Sequence, residues 1–183
     1  EESPLSPWWV RSILIVLVLG FAGLLAITLL AYRNAPPIPG QVKDADGTTL
    51  FTADDIGNGQ ALFLRYGLMD NGTIWGHGAY LGPDYSAEAL HHIGDGTAAA
   101  LAQQQYGKPV AELTPVQAAA IRAQVAVTLK TNRFDAASDT LQLTAPEAAA
   151  YRQQVVHWTN YFHDPVKNGG LKPDLITDPV ELH

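Results

Sequence analysis

Residues 12–32 read SILIVLVLGFAGLLAITLLAY, and this stretch decides how the chain is organised. It contains no charged residue, and thirteen of its side chains are Leu, Ile, Val or Phe. As a helix rising about 1.5 Å per residue, it reaches about 30 Å, the thickness of one bilayer core. Those side chains together favour insertion by about 4 to 8 kcal/mol. The stretch therefore predicts a transmembrane helix over residues 12–32.

The flanking residues are typical of a membrane boundary. Trp8 and Trp9 precede the apolar run, and Arg11 lies just before its first residue. Amphipathic and basic side chains of this kind prefer the headgroup region. A secretory signal peptide would have a shorter apolar region, of about 7 to 15 residues, followed by a small-x-small cleavage site. The longer run ending Leu30-Ala31-Tyr32-Arg33 favours an anchor instead.

Composition limits the partners and the chemistry. The 183 residues include 18 acidic and 11 basic ones, for a net charge of −7. This charge balance argues against nucleic acid as a partner, because phosphate binding depends on clustered Lys and Arg, which this sequence lacks. The chain has no cysteine. Disulfides, thiolate metal ligands, thiol nucleophiles and the thioether attachment of a c-type haem are therefore excluded.

Beyond the anchor, the pattern predicts a mainly α domain with a small β-hairpin. Residues 33–41 are rich in proline and form a stiff connector, and residues 42–51 form a hairpin around Asp46-Gly47. Three capping boxes mark helix starts, each followed by apolar residues at intervals of three and four. They are Thr52–Asp55, Thr114–Gln117 and Thr144–Glu147.

Some local features leave alternatives open. Residues 86–105 favour a helix, but Gly94 and Gly96 allow either one helix or two pieces. Residues 141–143 are compatible with a second short strand, and Pro165 is expected to end the last helix.

The densest group of recognition side chains lies in residues 67–84, GLMDNGTIWGHGAYLGPD. Its glycines permit close approach by another chain, while Trp75 and Tyr80 provide rigid apolar anchors with polar tips. The loop lacks the lysine and the context of a phosphate-binding loop. It predicts a docking surface.

The histidines admit a metal interpretation and a structural one. His77 with His91 or His92 is a candidate zinc or copper site, since imidazole suits both metals. His91 and His92 are adjacent on a helix and cannot face one ligand position together, and no third ligand has recognisable spacing. Packing or solvation is therefore favoured, as it is for His157 and His163.

The sequence shows no group of residues arranged for acid–base or nucleophilic catalysis. The pair Asp54-Asp55 lies at a helix start and is explained by capping and by the helix dipole. Ser86 lacks the context of a nucleophile elbow. No catalytic residue is predicted in this segment.

Residues 76–84, GHGAYLGPD, preceded by GQALF at residues 59–63, resemble the amino-terminal region of quinol-dependent nitric-oxide reductases. The resemblance extends along the chain through the proline-rich connector, the Asp-Gly hairpin, residues 129–133 and residues 148–152. In that family the region is similar to the small cytochrome c subunit of two-subunit reductases, but lacks its haem. The resemblance implies a cytochrome c-like helical domain over residues 42–170.

The resemblance also bears on cofactors. Haem-bearing relatives carry Cys-x-x-Cys-His at the positions of residues 68–72, which here read LMDNG, and Met69 offers only one soft ligand without attachment. No haem is therefore expected in this segment. Calcium in the relatives takes oxygens from residues equivalent to Gly78 and Tyr80, with His77 standing where they have Glu. Calcium is thus the one metal expected here, at Gly78 and Tyr80.

For the parent protein, the resemblance implies an enzyme that reduces nitric oxide to nitrous oxide with electrons from a membrane quinol. Haem b, a high-spin haem b and a non-haem iron would lie in a catalytic helical bundle of the same protein. Residues 1–11 form the N-terminal flank, and residues 171–183 would connect to that bundle. The segment itself is expected to be non-catalytic. Membrane lipid and the bundle would be its partners, at the bacterial cytoplasmic membrane with the soluble domain on the periplasmic side.

A second interpretation is a membrane-anchored extracytoplasmic binding or sensor module. Its ligand site would be the loop that carries Trp75, His77 and Tyr80. Further apolar spans after residue 183 would favour the reductase, and a soluble signalling region would favour the sensor.

Overall fold

The structure, a computed structural model, describes residues 6–163 and 168–182. The chain divides into two compact units, residues 1–38 and residues 39–183. Helices dominate the described residues, and the strands are short. The mainly α fold with an N-terminal apolar helix that the sequence predicts is therefore confirmed.

The first unit contains α1, Pro7–Arg33, a helix of 27 residues. The Ser6 side chain accepts a hydrogen bond from the backbone N–H of Trp8, and proline occupies the first helical position. Both features favour a helix start, so α1 begins before the apolar run. Its side chains are exposed along its length, and its most apolar 18-residue window has a mean hydropathy of 3.0. α1 is long and apolar enough to cross a membrane.

The second unit contains a small mixed sheet and a separate hairpin. Its strands are β1 Gln41–Lys43, β2 Thr49–Thr52, β3 Thr73–Ile74, β4 His77–Gly78, β5 Phe134–Asp135 and β6 Thr140–Gln142. The predicted hairpin around Asp46-Gly47 is confirmed as the antiparallel pair β1–β2. The strand anticipated at residues 141–143 is also present, as β6, and it pairs in parallel with β1. The mixed sheet has the order β2-β1-β6-β5.

The helices of this unit are α2 Ala53–Arg65, α3 Tyr85–Tyr106, α4 Pro115–Lys130, α5 Ala145–His163 and α6 Pro179–Leu182. α2, α4 and α5 begin directly after the predicted caps Thr52, Thr114 and Thr144. The short α6 lies in residues 171–183, where the sequence predicts only a connector. Complete capping boxes start α2 and α4. At the start of α5, the Glu147 carboxylate accepts hydrogen bonds from the backbone N–H and the hydroxyl of Thr144, at 2.8 and 2.7 Å. The prediction that Pro165 ends the last helix lies outside the described residues.

Between residues 85 and 106 the chain forms one continuous helix rather than two. Gly96 is buried, and a Cβ built on it would lie 2.9 Å from the Cβ of Ala150 in α5. Glycine at this position therefore allows α3 and α5 to approach closely, which offsets its low helix propensity. The α3–α5 contact is the most extensive helix packing of the second unit.

Two groups of side chains fill the interior. An aliphatic cluster joins α3 to α4, and its members are Leu101, Ala102 and Ile121 with Ala98, Tyr106, Leu113 and Val125 against them. An aromatic cluster surrounds Tyr85, whose ring centroid lies 5.5 Å from that of Phe63, 5.6 Å from that of Trp158 and 6.2 Å from that of Tyr161. Burial raises the pKa of the Tyr85 phenol, which stays neutral.

Two arginines neutralise buried carboxylates beside the sheet. Arg152 of α5 donates to the Asp44 carboxylate at 2.8 Å, and Arg133 pairs with Glu147. Burial on its own would raise the pKa of Asp44, but hydrogen bonds from the Thr48 backbone and from Arg152 outweigh it and hold that pKa below its usual value. The Arg152–Asp44 ion pair thereby joins the sheet to α5.

Hydrogen bonds and an ion pair attach the C-terminal segment to the end of α2. Arg65 lies 2.5 Å from Glu181, and the Tyr66 hydroxyl donates to the same carboxylate at 2.6 Å. These hydrogen bonds, that of Tyr66 first, lower the pKa of Glu181. α6 is therefore held by an ionised carboxylate.

Candidate functional site

Residues 67–84 fold into a compact loop whose tip is a tight hairpin. β3 and β4 pair antiparallel, with Ile74 opposite His77. The two residues between them, Trp75 and Gly76, have φ values of 51° and 77°. Positive φ at both positions is typical of a type I′ turn, which ordinarily takes Asn-Gly. For tryptophan this backbone conformation costs about 1 to 2 kcal/mol.

Two polar side chains, those of Asn71 and Thr73, are buried inside the loop beside the apolar Leu68. Asn71 is 5% exposed, and its side-chain amide donates to the carbonyl of Gly169 at 2.7 Å. Its side-chain oxygen accepts from the hydroxyls of Tyr85 and Tyr161, at 2.9 and 3.3 Å. Asn71 thus joins the loop to α3, α5 and the C-terminal segment.

Asp84 ties the tip of the loop to α3. Its carboxylate accepts hydrogen bonds from the backbone N–H of Ala87 at 2.9 Å, from that of Gly76 at 2.6 Å and from the hydroxyl of Thr73 at 2.8 Å. The bonds from Ala87, Gly76 and Thr73, in that order, hold the pKa of Asp84 below its usual value. The same carboxylate therefore caps α3 and fixes the hairpin.

The outside of the loop is apolar. Trp75 is 70% exposed, Tyr80 is 85% exposed and Leu81 is 77% exposed. His77, the third residue singled out in the sequence, is exposed as well. Two buried polar side chains and three large exposed apolar ones depart from the usual arrangement of a folded domain. Trp75, Tyr80 and Leu81 thus form an exposed apolar patch on the loop.

The positions equated with the haem attachment site have no room for one. Leu68 is buried, and Asn71 is occupied by its hydrogen bonds. At Gly72, the position equated with the axial histidine, an added Cβ would overlap the carbonyl oxygen of Pro83 and lie 2.6 Å from the ring of Tyr85. These residues do not fit a covalently attached haem.

The two predicted calcium ligands lie close together but offer few oxygens. Gly78 and Tyr80 are both exposed, and each contributes neutral oxygens only. The nearby Asp84 carboxylate already accepts three hydrogen bonds. Calcium takes six to eight oxygen ligands, usually including carboxylates. Gly78 and Tyr80 alone do not complete a calcium site.

The histidines are arranged differently from the pairing considered in the sequence. His91 is exposed and lies 3.3 Å from Asp95 in its own helix. His92 instead faces α5, where it meets His157 together with Glu88. Sequence reasoning missed this group because its third member comes from another helix. The spacing of Glu88 and His92, four residues apart on one helix face, was the available signal.

Comparison with known families decides which family this domain belongs to. Residues 39–182 match the NorB family of cytochrome c-like domains, which are domains of nitric oxide reductase. The chain belongs to this family. A comparison with curated proteins gives no match. The family gives the chain a role related to nitric oxide reductase within a parent oxidoreductase, and with the apolar α1 it indicates membrane association.

Proposed function

We propose that this chain is the structural, haem-less cytochrome c-like portion of a quinol-dependent nitric-oxide reductase. Family membership supports the reductase part of the proposal. The absence of cysteine and the crowding around Gly72 support the haem-less part. A reductase that takes its electrons from a membrane quinol needs no soluble haem as an entry point for them.

In the proposed reaction, two nitric oxide molecules and one quinol give nitrous oxide, water and a quinone. The quinol supplies both electrons and both protons. Haem b, a high-spin haem b and a non-haem iron of the catalytic membrane bundle would carry the redox chemistry. The residues of this chain bind and support that bundle, at the bacterial cytoplasmic membrane with the soluble domain on the periplasmic side.

The docking role is supported by the loop of residues 67–84, which exposes large apolar side chains while it buries polar ones. Trp75, Tyr80 and Leu81 are exposed although burying a side chain the size of leucine is worth about 1.5 to 3 kcal/mol. The tip also holds Trp75 in a strained backbone conformation. Strain of this kind persists at functional sites because the surrounding hydrogen bonds fix it. We infer that the catalytic bundle covers these three side chains.

The exposure of Gly78 and Tyr80 also bears on the predicted calcium site. Gly78 and Tyr80 lie on the docking face and leave most of the coordination sphere open. We propose that they contribute oxygens to a calcium site completed by the catalytic bundle. Calcium would then bind the assembled reductase and not this chain alone.

The experiment compares loop variants in the whole reductase, produced in its own membrane. Trp75→Ser and Tyr80→Ser are expected to lower the amount of assembled enzyme and its nitric oxide consumption, because both remove apolar area from the docking face. Val116→Ser is the matched control, since Val116 is 80% exposed on α4. Wild-type assembly and activity in both loop variants would contradict the docking role and leave the sensor interpretation standing.

A further inference from the structure

A cluster of three metal-binding side chains lies where α3 meets α5, outside the docking loop. Glu88 and His92 are one turn apart on α3, and His157 comes from α5. Their ligand atoms all lie within 4.8 Å of one another. Among residues 6–163 and 168–182, this is the group of three His, Cys, Asp or Glu side chains close enough to share an ion.

We propose that Glu88, His92 and His157 form a zinc site that joins α3 to α5. Two imidazoles and one glutamate are the ligand set of several zinc enzymes, in which water occupies a fourth position. The proposal does not depend on the docking role of the loop.

The distances suit a tetrahedral ion. The Glu88 Oε1 atom lies 3.0 Å from Nε2 of His157 and 3.5 Å from Nε2 of His92. In a tetrahedral site with bonds of about 2.0 to 2.1 Å, ligand atoms lie about 3.3 Å apart. Zinc would therefore enter between these atoms with small side-chain movements.

The backbone holds the three ligands in place. Gly96 follows His92 by one helical turn and lies against Ala150, where the two helices are in contact. His157 lies about two turns beyond Ala150 on the same side of α5. Ligands placed on two packed helices keep their separation better than ligands on loops. The closely packed α3–α5 contact thus fixes the geometry of the site.

Space remains for an additional ligand. A cavity of about 280 Å³ borders the cluster. Its lining residues are His92, Asp95, Gly96, Ala99, Gln153, Gln154 and His157. The side chains of Glu88, His92 and His157 are each between a quarter and two-fifths exposed, which lets an ion enter from solvent. A water molecule in this cavity would be the fourth ligand.

The surrounding side chains distinguish this site from a simple ion pair. The ring centroids of His92 and His157 are 4.1 Å apart. A divalent cation placed between the rings would be bound by a nitrogen of each imidazole and would balance the charge of the Glu88 carboxylate. Imidazole with one carboxylate is a donor set that favours zinc over calcium or magnesium.

The test measures zinc binding by the full chain, with its membrane anchor, in detergent after treatment with a chelator. Zinc chloride is titrated against a chromophoric chelator, and bound metal is counted by mass spectrometry. The wild-type chain is expected to bind one zinc per chain. His92→Gln and His157→Gln are each expected to weaken binding about 100-fold or more, since loss of a supporting residue alone costs 10- to 100-fold.

His91→Gln is the matched control, because His91 is the adjacent histidine but is exposed and faces Asp95. It should bind zinc as the wild type does. Cobalt(II) provides a second readout that does not depend on the stability of the variants. Four-coordinate cobalt in the wild-type chain should give strong visible absorption, retained in His91→Gln. No zinc uptake by the wild type, or equal losses in His91→Gln and His92→Gln, would overturn the assignment and leave a hydrogen-bonded network.

Discussion

The loop of residues 67–84 and the sheet region beside α5 solve opposite problems. In the sheet region, Val42 is buried, and the carboxylates that enter the interior are neutralised by arginines. In the loop, Asn71 and Thr73 are buried, while Trp75 and Tyr80 are exposed. The first region holds the fold together, whereas the second combines a strained backbone at Trp75 with exposed apolar side chains. Buried polar and exposed apolar side chains therefore mark the surface proposed for docking.

The largest effect is expected in the sheet region. Arg133→Met leaves the Glu147 carboxylate, whose side chain is 8% exposed, without its charge partner. Removing one member of a buried pair typically costs about 3 kcal/mol. Chemical denaturation of the full chain in detergent should show this loss in the free energy of unfolding. Arg122→Met, an exposed arginine on α4, should change it by about 0.5 kcal/mol or less; equal effects would mean that the pair contributes nothing special.

A smaller loss of stability is expected from a substitution at Gly72, the position equated with the axial haem ligand. Gly72→Ala forces a Cβ onto the carbonyl oxygen of Pro83 and the ring of Tyr85, an overpacking that costs about 1 to 3 kcal/mol. Gly94→Ala is the matched control, since a Cβ there meets no atom within 4 Å. It should stabilise α3 by about 0.5 to 1 kcal/mol. Melting temperatures that shift in the same direction in both variants would contradict the inference that Gly72 is tightly packed and Gly94 is not.

The display role of the tip predicts a gain in stability with a loss of function. Trp75→Asn replaces a strained tryptophan by a residue that suits a type I′ turn, and should stabilise the chain by about 1 kcal/mol. The same variant should weaken docking in the whole reductase, because the exposed indole is lost. Unfolding and assembly are measured on the same preparation. A stabilised variant that assembles normally would show that the strain serves some other purpose.

The smallest effect is a pH dependence of the loop. The pKa of Asp84 is lower in the folded chain than its unfolded value of about 4. The hydrogen bonds to its carboxylate therefore stabilise the folded chain fully above that unfolded pKa. This stabilisation is lost as the pH falls through the folded pKa. Between about pH 5 and pH 3, the melting temperature of the wild type should fall more steeply than that of Asp84→Asn. Parallel profiles would show that the carboxylate charge does not hold the tip.

Local signals in the sequence were sufficient for most of the fold. The Thr52 and Thr114 caps, the Asp46-Gly47 turn and the apolar run of α1 each act over a few residues, and each is found in the structure. Contacts between residues far apart in the sequence could not be predicted from it. Residues 41–43 pair with residues 140–142, and nothing in either segment specifies the other.

The candidate sites divide in the same way. Exposure of Trp75 and Tyr80 on one loop was anticipated because glycines and aromatic residues alternate there. The hairpin tip was not anticipated, since Trp75-Gly76 departs from the usual Asn-Gly signal. The meeting of Glu88 with His157, 69 residues away, required the packing of α3 on α5. Asn71 was equated only with a lost cysteine, and its role in joining three segments came from the structure.

Site-specific photo-crosslinking in the whole reductase shows directly whether the loop of residues 67–84 lies against the catalytic membrane bundle. A photoreactive amino acid is placed at position 75, in the docking loop, and in a separate variant at position 116, on the exposed face of α4. The proposed docking role predicts crosslinks from position 75 to peptides of the catalytic membrane bundle and none from position 116. Position 75 failing to crosslink to the bundle, with the enzyme assembled and active, would contradict it.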